Sequence, residues 1–325
     1  MIINDAGAGT GALQTGIAIK SGLDEVFFGM YEREQQPGQV LATDALFFRQ
    51  KTTEWGAIQN AESAGPGDFT ETVDDEEVPE GNIRIGNKQT LDVKDYNRDI
   101  PFPQSFLEDS EKYAIKQDAV GKLGIRAQTS RDKFAFQRSY GNPFDATLNP
   151  TPDGAALSSA SHLTLNGDTV NNLETGVMSP DNLKILVRDL KLQKAQDGDL
   201  GGHLFSGLIV GLSLFETAKE ITDSELKAGG ALNNLNWVSN LYPGVYLGTS
   251  EFLHSTYNSL NANVDTTYGC VSRNHYITRA VRVAINTEWV DPIYDRKRRA
   301  FYRARFRERV YPGTWEGVVM SNGTV

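Results

Sequence analysis

The apolar positions of residues 105–140 repeat at helical spacing. Pro101 and Pro103 are expected to stop the preceding strand, and Ser105 with Glu108 forms a capping box that opens a helix. At about 1.5 Å per residue, some 35 residues span on the order of 50 Å. One line of side chains recurs every seven residues along this predicted helix: Phe106, Tyr113, Val120, Ala127 and Phe134.

The same stretch indicates how this helix packs. A second line of positions, Ser110, Gln117 and Gly124, is too polar or too small to complete a coiled-coil seam, so a coiled coil is the weaker alternative. We expect Gly121 and Gly124 to be points at which the helix bends. The pattern favours a long helix laid across a sheet.

The segment before the helix, residues 47–100, has strand-like alternation interrupted by turn residues. Ile83 and Ile85, and then Leu91 and Val93, alternate with polar positions, and many acids lie between the apolar residues. An isolated two-stranded hairpin is marginally stable in water. We therefore predict a long polar hairpin that needs a partner surface to lie on.

Residues 1–46 are rich in Gly, Ala, Thr and Gln, with short apolar pieces such as Val26-Phe27-Phe28. This composition predicts an arm with a few anchor points. Within it, Gly7-Ala8-Gly9-Thr10-Gly11-Ala12 superficially matches the fingerprint of dinucleotide-binding folds. A Rossmann strand needs about five apolar residues before that loop, and Asn4 and Asp5 interrupt this one. A flexible glycine arm is the better interpretation.

Short helical and strand patterns follow one another in the second half of the chain. Ser179 as N-cap and Pro180 at the first helical position open a helix with a narrow apolar stripe, made of Leu183, Leu186, Val187 and Leu190. The patterns beyond it predict a strand at 204–210, a helix at 212–221 with Leu214, Phe215, Ala218 and Ile221 on one face, and strands at 237–247 and 280–289.

Residues 299–310 alternate strictly, which predicts a strand with two different faces. One face carries Ala300, Tyr302, Ala304, Phe306 and Val310, and the other carries Arg303, Arg305, Arg307 and Arg309. From Asp295 to Val310, eight Lys or Arg and two acids give a local charge of +6, which leaves −16 for the remainder of a chain whose net charge is −10. Such a strand can contact phosphate without reading bases, because no exposed aromatic residues are interleaved.

Acidic residues are concentrated at Asp74-Asp75-Glu76-Glu77 and Glu80. The net negative charge argues against a surface built throughout for nucleic acid. We favour a protein contact in which the arginine face meets these acids on a neighbouring copy, with a solvated face as the alternative. The candidate subunit-interface residues are therefore Trp55, Asp74, Asp75, Glu76, Glu77, Glu80, Arg303, Arg305, Arg307 and Arg309.

Length and composition set outer limits on the fold. The 325 residues, 39% of them apolar, suffice for one large or two modest domains. No apolar stretch reaches the roughly 20 residues that a membrane helix needs, and residues 1–5 lack the pattern of a secretory signal. We therefore expect folding in the cytoplasm without membrane contact. The single cysteine, Cys270, excludes an intrachain disulfide and is expected to be a buried apolar residue.

Candidate catalytic and metal-binding patterns are weak. His162, His203, His254 and His275 lie far apart, without metal-ligand spacing. Two Ser-x-x-Lys spacings, at 130–133 and 224–227, lack the partner motifs of penicillin-binding enzymes. Residues 197–201 resemble the start of a calcium loop but lack the glutamate that completes it, so a polar turn is the better interpretation. We predict no enzyme activity, no cofactor and no metal.

In this order, the arm, hairpin, long helix and mixed α/β region resemble the major capsid proteins of tailed bacteriophages, which have the HK97-like fold. Asp153-Gly154-Ala155-Ala156-Leu157 with Ser159-Ala160-Ser161-His162 resembles the loop after the family's spine helix. Residues 192–199 and 204–210, with Ala218-Lys219-Glu220-Ile221, resemble the start of its axial domain, and residues 234–247 fit more loosely. The order of elements covers nearly the whole chain.

The resemblance implies an α+β, HK97-like capsid fold and a structural role. The chain would self-assemble into hexamers and pentamers of an icosahedral head shell around double-stranded DNA, with the extended loop over an adjacent subunit. The implied divisions are an N-terminal arm (1–46), an extended β-hairpin loop (47–100), a peripheral domain (101–179) with the spine helix (105–140), an α/β axial domain (180–295), and a return strand with C-terminal tail (296–325).

The resemblance also implies partners and a location. Because the sequence begins directly with its arm, we expect a separate scaffolding protein, together with a portal, and we leave open a decoration protein. Packaged DNA would be contacted weakly and without sequence specificity, in the virion, after assembly in the host cytoplasm. The alternatives are an encapsulin-like compartment and, from another class, a dinucleotide-dependent oxidoreductase that would use residues 7–12.

Overall fold

The computed structural model describes residues 11–33, 47–54, 56–64, 84–103, 113–223, 238, 241–242, 244–290 and 299–323. The predicted helix start at Ser105, the acidic cluster from Asp74 to Glu80, and Trp55 lie outside the described residues. The chain forms two compact units. The first takes its residues from Met1–Val40, Val93–Asp132 and Val281–Glu308, and the second from Leu41–Asp92, Lys133–Ala280 and Arg309–Val325.

The described helices are α1 (Gly11–Arg33), α2 (Tyr113–Gln137), α3 (Pro180–Leu192) and α4 (Phe215–Asp223). The described strands are β1 (Arg49–Thr52), β2 (Ala57–Ala64), β3 (Arg84–Asp92), β4 (Lys94–Pro103), β5 (His162–Leu163), β6 (Thr169–Val170), β7 (Leu173–Glu174), β8 (Phe205–Val210), β9 (Tyr246–Gly248), β10 (Tyr268–Ser272), β11 (Ile277–Val290), β12 (Arg299–Pro312) and β13 (Val318–Ser321).

Helix α1 corrects the prediction of an arm with only a few anchor points. Its buried residues Leu23, Phe27 and Tyr31 are spaced four apart and therefore lie on one face. They share the core of the first unit with Val120 and Ala127 of α2. A single narrow stripe among small and polar residues did not stand out in the sequence as a helix.

Helix α2 is the predicted spine helix. Val120 and Ala127 of the predicted seven-residue line are buried, whereas Phe134 is half-buried. The helix ends at Gln137, three residues before the predicted end. Val120 and Ala127 pack in one cluster with Tyr302 and Ala304 of β12, which confirms a long helix laid on a sheet.

The glycines of α2 lie where α1 comes closest. A Cβ on Gly124 would lie 2.5 Å from the carbonyl oxygen of Phe27, and one on Gly121 would lie 3.3 Å from Cγ of Met30. The position that is too small for a coiled-coil seam therefore allows the α1 backbone to approach. The absence of a side chain at Gly124 allows the two helices to pack closely, and this explains the glycine better than a bend in the helix does.

The sheet on which α2 lies has the strand order β1-β11-β12-β4. Strands β4 and β12 are antiparallel, with Pro103 opposite Arg299 and Lys94 opposite Glu308. The prediction that Pro101 stops a strand is wrong, because Pro101 lies within β4, whereas Pro103 is the last residue of β4. Among the described strands, β4 is at the edge of the sheet, which is where proline is tolerated because its missing N–H group costs no hydrogen bond to a second neighbouring strand.

The second unit contains a five-stranded sheet with the order β7-β13-β10-β8-β9. Strand β10 is antiparallel to both β8 and β13, while β9 is parallel to β8 and β7 is parallel to β13. Helices α3 and α4 pack on this sheet through an apolar cluster that includes Leu186, Ala218 and Cys270. Cys270 is fully buried, as predicted.

The helix predictions for this unit are confirmed. The Ser179 side chain accepts a hydrogen bond from the Asn182 backbone N–H, and the four buried residues of α3 are the predicted ones. Strand β8 also lies where it was predicted. By contrast, the strand predicted at 237–247 is mostly wrong, because Val238 is helical and β9 covers only Tyr246–Gly248.

Strands β2 and β3 form the predicted hairpin, with Ala57 opposite Asp92 and Ala64 opposite Arg84. Its described part is shorter than 47–100, since Phe47 and Phe48 are fully buried in the main core of the second unit and β4 belongs to another sheet. The predicted division into arm, extended loop, peripheral domain and axial domain stays a prediction. The second unit's sheet includes β13, which the sequence assigned to a C-terminal tail.

Candidate subunit-interface surfaces

The two faces of β12 alternate as the sequence predicts. Ala300, Tyr302, Ala304, Phe306 and Val310 are all buried. On the opposite face, Arg303, Arg307 and Arg309 are half-buried and Arg305 is exposed. The structure therefore brings the four predicted arginines together on one strand face.

Two of these arginines have acidic partners on the adjacent strand of the same chain. Nε and Nη2 of Arg303 donate to the two carboxylate oxygens of Asp99 over 2.8 and 2.9 Å. Nη2 of Arg307 lies 2.5 Å from Oδ2 of Asp95, and this hydrogen bond holds the pKa of Asp95 below its ordinary value. The predicted partners of this face were the acids from Asp74 to Glu80 of a neighbouring copy, whereas two of its arginines pair with acids of their own chain.

A usable signal for this pairing was present in the sequence. Asp95 and Asp99 are four residues apart, as are Arg303 and Arg307, and the antiparallel register places each aspartate opposite one arginine. Arg309 uses its Nη1 to donate to the backbone oxygen of Asp92 over 3.2 Å.

A buried ion pair on the other face of β12 was missed. Glu308 interrupts the apolar alternation, and its Oε2 accepts hydrogen bonds from Nε and Nη2 of Arg131 at 3.1 Å. Arg131 also contacts the hydroxyl of Tyr31 in α1. Burial lowers the pKa of Arg131, but the charge of Glu308 outweighs this and raises it. This pair connects α2 to β12 and to α1.

Helix α1 has a second polar attachment to the sheet. Oδ1 of Asp24 accepts hydrogen bonds from the hydroxyls of Tyr302 and Thr287, both at 2.6 Å. Lys20 pairs with the other carboxylate oxygen at 2.9 Å. Burial acts to raise the pKa of Asp24, but these hydrogen bonds outweigh it, and the pKa lies below its ordinary value. The folded state therefore stabilises the ionised carboxylate of Asp24.

The base of the hairpin is anchored on the second unit of its own chain. Nδ2 of Asn60 in β2 donates to the backbone oxygen of Gly313 over 2.8 Å, and Nε2 of Gln89 in β3 donates to that of Pro150 over 3.3 Å. Glu62 is fully enclosed, and its Oε2 accepts from the Asn87 backbone N–H over 3.0 Å. Burial raises the pKa of Glu62. The predicted partner surface for this part of the hairpin is therefore the chain itself.

Residues 153–162, which carry the capsid resemblance, form a buried polar cluster. Nδ1 of His162 lies 2.8 Å from Oδ2 of Asp153, and the His162 ring stacks on Trp315 with centroids 4.7 Å apart. Burial raises the pKa of Asp153, but hydrogen bonds with His162 and Thr151 outweigh it and lower the pKa. Through these two contacts, the histidine holds the loop against the buried Trp315.

The other candidate sites are not assembled in the described part of the chain. No group of three or more His, Cys, Asp or Glu there could hold a metal ion. His203 is buried alone, which lowers its pKa, and burial also raises the pKa of the Cys270 thiol. Residues 7–10 lie outside the described residues, and Gly11 begins α1. None of the described helices is long and apolar enough to cross a membrane.

Comparison with known proteins gives structural but not sequence relatives. No protein-family model and no curated protein sequence matches the chain. Among solved structures, an asymmetric unit of the bacteriophage PhiM1 mature capsid matches with a TM-score of 0.54 at 7% identity, covering 88% of this chain and 87% of that one. The chain has the HK97-like capsid fold.

Two further structures support this HK97-like fold. The capsid of Myoviridae phage XM1 matches with a TM-score of 0.52 at 10% identity, covering 88% of this chain and 92% of that one. The capsid of an empty GTA particle matches with a TM-score of 0.52 at 12% identity, covering 89% and 92%. The HK97-like arrangement thus extends over nearly the whole chain, at an identity too low for sequence comparison to detect.

Proposed function

We propose that this chain is a structural subunit of an icosahedral head shell, assembling into hexamers and pentamers around double-stranded DNA. The observation that carries the proposal is the similarity in fold, over about nine-tenths of the chain, to proteins described as capsids of phages and of an empty GTA particle. The role is structural rather than enzymatic, and the location is the virion after assembly in the host cytoplasm.

The arginine face of β12 supports only weak contact with DNA. This face carries four arginines, and two of them, Arg303 and Arg307, are paired with Asp99 and Asp95, so half of its positive charges are offset by carboxylates. Tight binding to phosphates requires a larger excess of positive charge. A shell that must release its DNA needs an inner surface that binds phosphate weakly, and a face with partly offset positive charge meets this need.

The ion pairs of Arg303 and Arg307 reduce the number of arginines on this face that are available to a neighbouring copy. Arg305 has an exposed side chain, so it is the arginine through which this face meets the acids of a neighbouring copy, Asp74 to Glu80. Trp55 belongs to the same proposed contact. A scaffolding protein, a portal and a decoration protein are the proposed further partners.

Electron microscopy of the purified chain, expressed with and without a scaffolding protein, tests the proposal. We expect closed shells built from six-fold and five-fold clusters of subunits. Monomers alone under all assembly conditions would overturn the self-assembly, and shells that contain a protein cargo and no DNA would indicate an encapsulin-like compartment instead. The nucleic acid and protein content of the purified particles separates these outcomes.

A further inference from the structure

A polar cavity of about 280 Å³ lies in the second unit beside the base of the hairpin. Its walls come from four parts of the sequence, three of which are Asn60 in β2, the turn after α3 with Gln196 and Asp197, and the segment after β12 with Thr314 and Glu316. Tyr276 completes the lining. No cationic side chain is among these lining residues, whereas two carboxyl groups are.

Glu316 is the least exposed of these two acids. Glu316 is only 7% exposed, and its Oε1 accepts a hydrogen bond from the Gln196 backbone N–H over 2.9 Å. Within the described residues, its second carboxylate oxygen receives no hydrogen bond. Burial raises the pKa of Glu316 to about 7, and the nearby charge of Asp197 acts in the same direction.

The charges around the cavity are unbalanced. Asp197 and Tyr276 are the other titratable groups of the lining. The guanidinium of Arg49 lies over the Tyr276 ring, 4.8 Å from its centroid, and does not line the cavity. A buried carboxylate without a cation carries a desolvation penalty that an incoming positive charge would offset.

We propose that this cavity receives the side chain of a lysine or arginine from a second copy of the chain. Glu316 and Asp197 would accept its charge-assisted hydrogen bonds, and the amide of Asn60 would stand at its entrance from the hairpin side. The proposal rests on the proposed self-assembly and specifies one contact within it. A positively charged side chain is inferred because the cavity is lined by two carboxyl groups and has room for one such side chain.

Glu316→Gln tests the contact, since glutamine keeps the size of the side chain and the acceptor for the Gln196 N–H but removes the negative charge. Asp199→Asn is the matched control, because Asp199 lies in the same turn, is exposed and does not line the cavity. The concentration at which particles first form is measured by light scattering. We expect it to rise roughly tenfold or more for Glu316→Gln and to stay unchanged for the control.

Asp197→Asn provides a second variant should Glu316→Gln fail to fold. It lines the same cavity from a half-buried turn, and we expect it to raise the threshold concentration in the same direction. Thresholds equal to that of the unmodified chain in the folded variants would overturn the proposed contact. Absence of particles from the unmodified chain would instead overturn the proposed function.

Discussion

The backbone oxygen of Phe27 in α1 lies 2.5 Å from the point that a Cβ on Gly124 in α2 would occupy. Gly124→Ala therefore forces the two helices apart, and we expect a loss of about 1–3 kcal/mol in the free energy of unfolding, as for other overpacked cores. Urea denaturation of the unassembled subunit measures this loss.

Gly121→Ala is the control for this substitution. Its Cβ would lie 3.3 Å from the flexible side chain of Met30, which can move, and alanine has the higher helix propensity by about 1 kcal/mol. We expect unchanged or slightly increased stability. Equal stability losses for the two variants would show that the close approach at Gly124 does not control the packing of α1.

The pair of Arg131 and Glu308 is expected to matter far more to the subunit than the ion pairs on the opposite face of β12. Glu308→Ala leaves the Arg131 charge buried without its partner, which costs about 3–5 kcal/mol. Asp95→Asn breaks a partly exposed pair on the same sheet and costs under about 1 kcal/mol. Chemical denaturation of both variants measures the difference, and similar losses would contradict the assignment of Glu308 to the core.

The buried carboxyl group of Glu316 is expected to make the folded chain less stable as the pH rises. Its pKa is about 7 in the folded chain against an ordinary value of 4.5, so the unfolded chain loses this proton first as the pH rises. Below pH 4.5 both states are protonated, and between pH 4.5 and 7 the folded state loses about 3 kcal/mol in total relative to the unfolded state.

Glu316→Gln should remove this dependence. Unfolding measured at several pH values from 4.5 to 8 should show the variant gaining stability over the unmodified subunit as the pH rises to 7, and no further gain above it. The same variant is expected to weaken assembly, so stability and assembly change in opposite directions. A constant stability difference across this pH range would refute the burial of an ionising Glu316.

The contributions of Arg305 and Arg307 to assembly can be distinguished by how the assembly rate depends on salt concentration. Arg305→Gln removes an exposed charge and should slow assembly several-fold at low salt, with little effect at high salt, as for charges that steer association. Arg307→Gln removes a charge already paired with Asp95 and should have the smaller effect. Light scattering during assembly measures both rates, and a larger effect for Arg307 would contradict the proposed neighbour contact.

The parts predictable from sequence were those determined by local spacing. The Ser179 cap with the stripe of α3, the strand β8 and the two faces of β12 depend on neighbouring residues alone. Helix α1 was missed because its narrow apolar stripe is hidden among glycine, alanine and threonine. The partners of Arg303 and Arg307 could be found only from the register of β4 against β12, and the cavity at Glu316 forms only where four distant segments meet.

The two prolines of β4 have a consequence for how copies of the chain can associate. In the antiparallel pair with β12, Pro101 lies opposite Phe301 and Pro103 opposite Arg299, so β4, an edge strand among the described strands, has two positions without an N–H donor. A strand from another molecule cannot extend the ladder there. The prolines therefore disfavour sheet extension by a second copy at this end of the strand, where side-chain contacts are the remaining means of association.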